Sequence, residues 1–373
     1  MLIYLIIIFS IYFGFLSACI VGWQKFARQP GSRKTRQNEF VSVVIAVRNE
    51  ATSIAPLLAS LRFQDFPHSN FEIIFVDDHS TDHTIQIILD YLKDNPHMKG
   101  SYFHSPNQGK KLALTVGIQR AQGEIILTTD ADCVLPTDWI SKMIMSFDAD
   151  TSMVIGLVKI HEEKSLFSKL QALEFNSVIG SGMALHSLGF PVMCNGASLA
   201  FRKKSFDVVD GYEGNLHVPS GDDEFLMRKL NERFPGTIQT IHWPSVVVAT
   251  TPQPSLKSFI HQRLRWAGKW RANDSLTTKV LALYIFIFQA TCIVAFGLLF
   301  TTKYLVGVSA LMSMKLLLEG YFLFKVSRTL HQHFSIPILL LLQLVYPFYV
   351  LIIGIFSQLV DYEWKGRKEH SIG

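Results

Sequence analysis

The sequence predicts an α/β domain, a mostly parallel sheet covered by helices, set between apolar segments that cross a membrane. Short β-branched runs alternate with amphipathic helical stretches between residues 40 and 254, the pattern of successive strand–loop–helix units. Several of those runs end in acid-rich loops, and open α/β sheets bind ligands outside the carboxyl ends of their strands. Residues 1–23 and 280–360 are almost pure hydrocarbon, which explains why only 17% of the 373 residues are charged, where soluble proteins average about 25%.

The first apolar segment, residues 1–21, is followed rather than preceded by its basic cluster, Lys25, Arg28, Arg33, Lys34 and Arg36. A signal peptide carries its charge before the apolar core, so 1–23 reads as an uncleaved anchor with its basic end in the cytoplasm. Residues 24–39, with Pro30, Gly31 and Ser32, read as a basic linker. The net charge of +5 is modest, and a juxtamembrane anchor accounts for the cluster better than nucleic-acid binding does. Cys19 and Cys292 fall in apolar spans and Cys133 and Cys194 in the middle; none has metal-ligand spacing or belongs to a disulfide framework, which fits a reducing cytosol.

Residues 40–47 (FVSVVIAV) predict a buried strand, and Ile54, Leu57, Leu58 and Leu61 predict the helix after it. Residues 71–76 (FEIIFV) predict a second strand, with a helix from about Thr81 carrying Ile85, Ile88, Leu89 and Leu92. A helix over 110–120 and a strand over 124–129 complete the series. That last strand runs directly into Asp130-Ala131-Asp132. Two carboxylates so close repel each other unless a cation lies between them, and hard oxygen ligands favour Mg²⁺ or Mn²⁺ carrying substrate phosphates. A solvated turn or a helix cap is the bland alternative for such a triplet.

The segments VSVVIAVRNE, VDDHSTDHT, GKKLAL and TTDADC, in that order and spacing, resemble family 2 glycosyltransferases that use nucleotide-diphospho-sugars. No GxGxxG fingerprint follows the first strand, which argues against a dinucleotide enzyme. Further on, PVMCNGAS resembles the family's acceptor-side stretch and GDDEFL its acidic TEDxxL motif. Gln262-Arg263-Leu264-Arg265-Trp266 matches QxxRW, the signature of the membrane-bound branch that includes cellulose, chitin and hyaluronan synthases and lipid glycosyltransferases.

The resemblance implies a GT-A type domain over 40–254 on the cytoplasmic side of an inner membrane. It puts Ala46, Arg48, Glu50 and Asp78 at the nucleoside, Lys110 at the nucleotide or its phosphates, and Asp130 and Asp132 at the donor and a Mg²⁺ or Mn²⁺ ion. Arg48 stands where the family often has an aromatic residue, and Lys111 and Leu112 replace small residues after Lys110. Asn195, Gly196 and Asp222 fall on the acceptor side, and Asp223 is the expected base, with Asp222 and Glu224 as alternatives. Gln262, Arg265 and Trp266 close the acceptor end, Arg265 facing the departing diphosphate and Trp266 stacking on a sugar, or else Trp266 and Trp270 serve as interface anchors.

Leu256, Phe259, Ile260, Leu264, Ala267 and Trp270 recur at helical spacing, with Lys257, Arg263, Arg265 and Lys269 between them. Residues 255–275 therefore read as a basic amphipathic helix on the cytoplasmic leaflet. Three apolar stretches follow within 280–360, each long enough to span, before a basic tail at 361–373. The middle stretch carries Lys315 and Glu319 four residues apart, readable as a functional pair or a mutually neutralised one. Four spans are expected, with three as the alternative because the tail's Lys365, Arg367 and Lys368 then return to the cytoplasm.

With these features the family resemblance implies an inverting, metal-dependent transfer of a sugar, a UDP-sugar first among donors, to a lipid or growing glycan, with no role for nucleic acid. A processive polysaccharide synthase is the alternative within the class. A non-catalytic membrane scaffold that binds a nucleotide-sugar is the alternative outside it.

Overall fold

Val41–Val47 is buried along nearly its whole length, as its β-branched composition demands of a strand covered on both faces. The computed structural model describes residues 1–28, 39–161, 164–241, 243, 245–269, 275–360 and 362–369. Of the linker expected over 24–39, residues 29–38 lie outside them, as does Trp270, while residues 24–27 continue the first helix. In chain order the elements are α1 (Leu2–Ala27), β1 (Val41–Val47), α2 (Ala55–Arg62), β2 (Phe71–Asp77), α3 (Thr84–Asp94), β3 (Lys99–His104), α4 (Lys110–Arg120) and β4 (Ile125–Thr128). Next come β5 (Cys133–Val134), α5 (Trp139–Met145), β6 (Met153–Ile155), β7 (Leu157–Ile160), α6 (Leu166–Ser187), β8 (Leu199–Arg202), α7 (Lys203–Val208) and α8 (Asp222–Arg233). The chain ends with β9 (Ile238–Thr240), β10 (Val247–Thr250), α9 (Leu256–Gly268), α10 (Leu276–Leu298), α11 (Leu305–Thr329), α12 (Ile336–Phe356), β11 (Tyr362–Trp364) and β12 (Arg367–Glu369).

The α/β unit gathers the described residues of Arg28–His161 and Gly189–Thr251. Its seven-stranded sheet has the order β3-β2-β1-β4-β8-β6-β9. The strands β3, β2, β1 and β4 are parallel, while β8 runs antiparallel to both β4 and β6. This is the mixed, mostly parallel, helix-covered sheet that the sequence predicts. The register pairs Val47 with Asp77 and Asp77 with His104, so the loops after β1, β2 and β3 leave the sheet at one edge, beside the end of β4. A second sheet, β5-β10-β7, braces the chain just after β4. The second helix starts at Thr84 rather than near Thr81; Asp82 accepts bonds from the Thr84 amide at 3.0 Å and its hydroxyl at 2.5 Å, an Asx turn that occupies the residues before it.

The helical unit gathers the described residues of Met1–Ala27, Glu162–Leu188 and Pro252–Gly373. Residues 164–188, expected inside the 40–254 domain, thus group with this unit through α6. By length and composition α1, α10, α11 and α12 can each cross a membrane, and the chain is that of an integral membrane protein. Leu173 of α6 packs with Leu323 of α11 and with Ile338 and Leu339 of α12. Lys315 and Glu319 pair at 3.0 Å. Both also bond to Gln343 of α12, and Tyr12 of α1 donates to Glu319 at 2.5 Å. Within hydrocarbon such groups need partners from inside the protein, and the three helices supply them.

Candidate active site

The edge of the α/β unit is built by side chains that bind neighbouring loops to one another. Asp77 is fully buried at the end of β2; its carboxylate accepts from the Ser80 amide and lies 3.1 Å from His104 Nδ1. Asp78, also buried, accepts from the Gly109 amide at 2.8 Å and so holds the start of α4. Arg48 donates to the carbonyls of Asp78 at 2.6 Å and His79 at 3.0 Å. The Glu50 amide donates to Thr84 Oγ1 at 2.7 Å, and its carboxylate accepts from Ser53. Arg48 and Glu50 thus crosslink the loops that surround Asp78, and Ala46 pairs with Val76 in the adjoining strands.

At the centre lies Lys110, the first residue of α4. Its Nζ is 2.8 Å from Asp130 Oδ1 and 3.0 Å from Asp222 Oδ2. Burial alone would depress the lysine pKa, but Asp130 and Asp222 outweigh it and hold the ammonium well above its ordinary range. Asp222 feels the converse: burial favours its neutral form, and the charge of Lys110 overcomes this and lowers its pKa. The acidic motif reaches this point because Gly221 takes φ 78° as the N-cap of α8, a left-handed conformation suited to glycine. Asp222, Asp223 and Glu224 then occupy the first turn of α8, where the helix dipole favours negative charge.

Asp223 accepts from the Gly196 amide at 2.9 Å through Oδ2 and from the Glu224 amide at 2.7 Å through Oδ1. A Cβ on Gly196 would lie 3.1 Å from Asp222 Oδ2 and 3.7 Å from Lys110 Nζ, so this glycine lets the two segments approach. Asn195 caps the short turn at Gly196–Ser198 by accepting from the Ala197 amide. Lys110, Asp130, Asn195, Gly196, Asp222 and Asp223 therefore form one cluster.

Asp132 is half-buried just before β5, with the hydroxyls of Thr250 and Thr251 both 3.4 Å from its Oδ2. Beside it the Cys133 thiol is pushed up by burial and by Asp132 and Asp130, which keeps it protonated and inert. Among the described residues no three His, Cys, Asp or Glu side chains converge as a metal cage. Two part-exposed carboxylates fit a hard divalent ion that takes its remaining oxygens from a diphosphate and water.

Residues 42–209 match the profile of Glycosyl transferase family 2. This stretch is a family 2 glycosyltransferase domain. The poly-beta-1,6-N-acetyl-D-glucosamine synthase of Staphylococcus epidermidis is 26% identical over 263 residues, 68% of this chain and 61% of that protein. The beta-monoglucosyldiacylglycerol synthase of a Nostoc species is 26% identical over 250 residues, 65% of this chain and 52% of that protein. The chain thus spans about 61% and 52% of these relatives. A mannosyltransferase from Pyrobaculum calidifontis, solved with GDP-Man and Mn²⁺, superposes with a TM-score of 0.59 at 18% identity, covering 96% of this chain and 99% of that one. The shared fold is of GT-A type.

The α/β unit holds Ala46, Arg48, Glu50, Asp78, Lys110, Asp130, Asp132, Asn195, Gly196, Asp222 and Asp223, the last two beyond the matched stretch, whereas Gln262, Arg265 and Trp266 lie on α9 in the helical unit. The basic face expected of α9 at the membrane surface needs one correction. Arg263 is 3% exposed, paired with Glu174 at 2.5 Å and set over the rings of Phe259 and Trp266 at 4.6 and 4.2 Å. Its guanidinium has found a buried acid and two aromatic faces, so it belongs to the packed side of the helix. Sequence reasoning also missed Lys111, whose Nζ donates to the carbonyls of Asn215 at 2.7 Å and Val218 at 3.0 Å and so ties down the loop before the acidic motif. Tyr212 was likewise overlooked; burial first, and then Asp222, push its phenol well above the ordinary value. No spacing signals either residue, because both act on loop backbone or through burial.

Proposed function

We propose that this protein is an inverting membrane glycosyltransferase that moves a sugar from a nucleotide-diphospho-sugar, a UDP-sugar first, to a lipid or growing-glycan acceptor at the cytoplasmic face. One observation carries the reading: a single ammonium, Lys110, joins the carboxylate at the end of the donor strand, Asp130, to the acidic motif at Asp222. Donor-holding and proton-accepting groups are thereby neighbours within one domain.

Asp78, Arg48 and Glu50 shape the nucleoside end of the edge. Asp130 and Asp132 hold Mg²⁺ or Mn²⁺, which when bound supplies Lewis-acid neutralisation of the leaving diphosphate. Asp222 is already engaged by Lys110, so Asp223, fixed by two backbone amides, is the better proton acceptor for the attacking hydroxyl. One such base suits a single displacement with inversion. Gln262, Arg265 and Trp266 serve the acceptor end.

The test is nucleotide release by the full-length protein in detergent, from a panel of UDP-sugars and GDP-mannose, with and without Mn²⁺ and extracted membrane lipids. Lipid-stimulated, Mn²⁺-dependent release from one donor supports the reading. Binding of a nucleotide-sugar with no turnover under any condition sinks it in favour of a sensor. A ladder of product lengths would identify processive synthesis rather than a single transfer.

A further inference from the structure

Two arginines stand two residues apart on α9, at 263 and 265, and a helix turns roughly 200° over two residues. Burying one directs the other to the opposite side, so something must select which goes inside. The QxxRW pattern leaves position 263 open. The structure answers it with a residue from a helix that no motif marks.

Glu174 of α6 is 5% exposed and accepts from Arg263 at 2.5 Å through Oε2 and from Tyr349 of α12 at 3.3 Å through Oε1. Arg263 in turn donates to Gln262 Oε1 at 2.8 Å and lies over Trp266 at 4.2 Å. Leu264 and Ile353, with Ile260, Ala267 and Tyr349 packed against them, fill the rest of this contact. One carboxylate therefore reaches two of the three signature side chains through a single guanidinium.

We infer that Glu174 is a positioning residue for the reaction: by drawing Arg263 inward it sets the rotation of α9, aligns Gln262 and Trp266, and leaves Arg265 on the other face. The inference rests on the reading that Gln262, Arg265 and Trp266 serve sugar transfer. A lysine at 263 would keep the charge but lose the planar fork that meets carboxylate and ring together.

The experiment compares wild type, Glu174→Gln, Glu174→Asp, Arg263→Lys and Glu174→Gln/Arg263→Met, all full-length in detergent. The first readout is the Trp266 contribution to fluorescence, taken as each protein minus its Trp266→Phe counterpart. Glu174→Gln should shift that emission by several nanometres. Adding Arg263→Met should shift it no further, and Glu174→Asp should restore it. The second readout is nucleotide release, where Glu174→Gln should lower kcat at least tenfold and leave the donor KM within about twofold. If Glu174→Gln does not fold, Arg263→Lys carries the same prediction with the buried charge retained. An unchanged Trp266 emission in a folded Glu174→Gln or Arg263→Lys protein overturns the positioning role, as does an equal loss in kcat and gain in KM. If the wild type releases nucleotide from no donor, the proposed activity fails, and the emission series still decides whether Glu174 orients the helix.

Discussion

Lys110 and Arg263 each hold a carboxylate from a distant part of the chain, yet their surroundings differ. The Lys110 side chain is 20% exposed and those of its partners Asp130 and Asp222 are 38% and 12% exposed, whereas the side chains of Arg263 and Glu174 are 4% and 7% exposed. A part-exposed lysine with two partners can give one up when another charge arrives, because water and the second carboxylate compensate it. A closed arginine pair has no such freedom, and removing one partner leaves an unpaired charge in a dry place. The first arrangement suits a site where charged ligands come and go. The second suits a part that must not move.

The sharpest break of this comparison lies in the open cluster, at Asp223, and beside it, at Asp132. Asp223→Asn and Asp132→Asn should each reduce transfer by roughly 10²–10⁴-fold, the range for losing a general base or a comparable electrostatic group. Their thermal midpoints should stay near that of the wild type. Near-normal turnover in either variant would remove that residue from its assigned role, and a collapse of the fold would mean that the open cluster is structural after all.

The next effect concerns a closed pair inside the spans. Among the described residues, Lys315→Met leaves the largely buried Glu319 with Gln343 and Tyr12 as partners, and should cost about 3–5 kcal/mol in unfolding experiments in detergent. Replacing Lys315 and Glu319 together with apolar residues should recover most of that loss. Equal destabilisation by the single and double changes would contradict the account of a mutually neutralised pair.

A smaller effect is expected for Lys110→Met on stability. Asp130 is more than a third exposed, so solvent screening keeps that part of the triad to at most about 1 kcal/mol. Turnover should fall by about 10²-fold if the ammonium acts on the donor phosphates. A stability loss as large as that of Lys315→Met would show that the two clusters do not differ in kind.

These contrasts also explain what could be read from the sequence. The buried parallel strands β1, β2 and β4 announce themselves as apolar, β-branched runs, and the acids at their ends follow from where the runs stop. The edge strand β3, KGSYFH, is half exposed and has no apolar run to mark it. The helix α6 is surrounded by other helices, so its apolar residues lack a stripe and its 22-residue length was not evident. Lys110, Asp130 and Asp222 were each legible as motif residues, but their convergence depends on Gly221 and Gly196 and on the antiparallel return of β8 beside β4. Arg263 was misread because charge normally marks a solvated face, and its compensating acid lies 89 residues away in sequence.

The smallest effect is a pH dependence, and its sign is fixed by the two members of the open pair. Burial works against the Asp222 carboxylate, but Lys110 at 3.0 Å outweighs it and lowers the pKa. A lowered carboxylate stabilises the fold fully above its unfolded value of about 3.9, and this is lost as pH falls through the folded value. Lys110 behaves in the opposite sense: its raised pKa gives a contribution present below the unfolded value of about 10.4 and lost only as pH rises through a still higher one. Between about pH 5 and 9 both groups stay charged, so the stability difference between wild type and Asp222→Asn should be flat there. Below about pH 4 the difference should shrink as Asp222 takes up its proton. Thermal unfolding of the full-length protein in detergent from pH 2 to 9 measures this directly. A difference that widens on acidification would mean that Asp222 binds its proton more readily in the folded protein than in the unfolded chain, and that Lys110 is not its partner in solution.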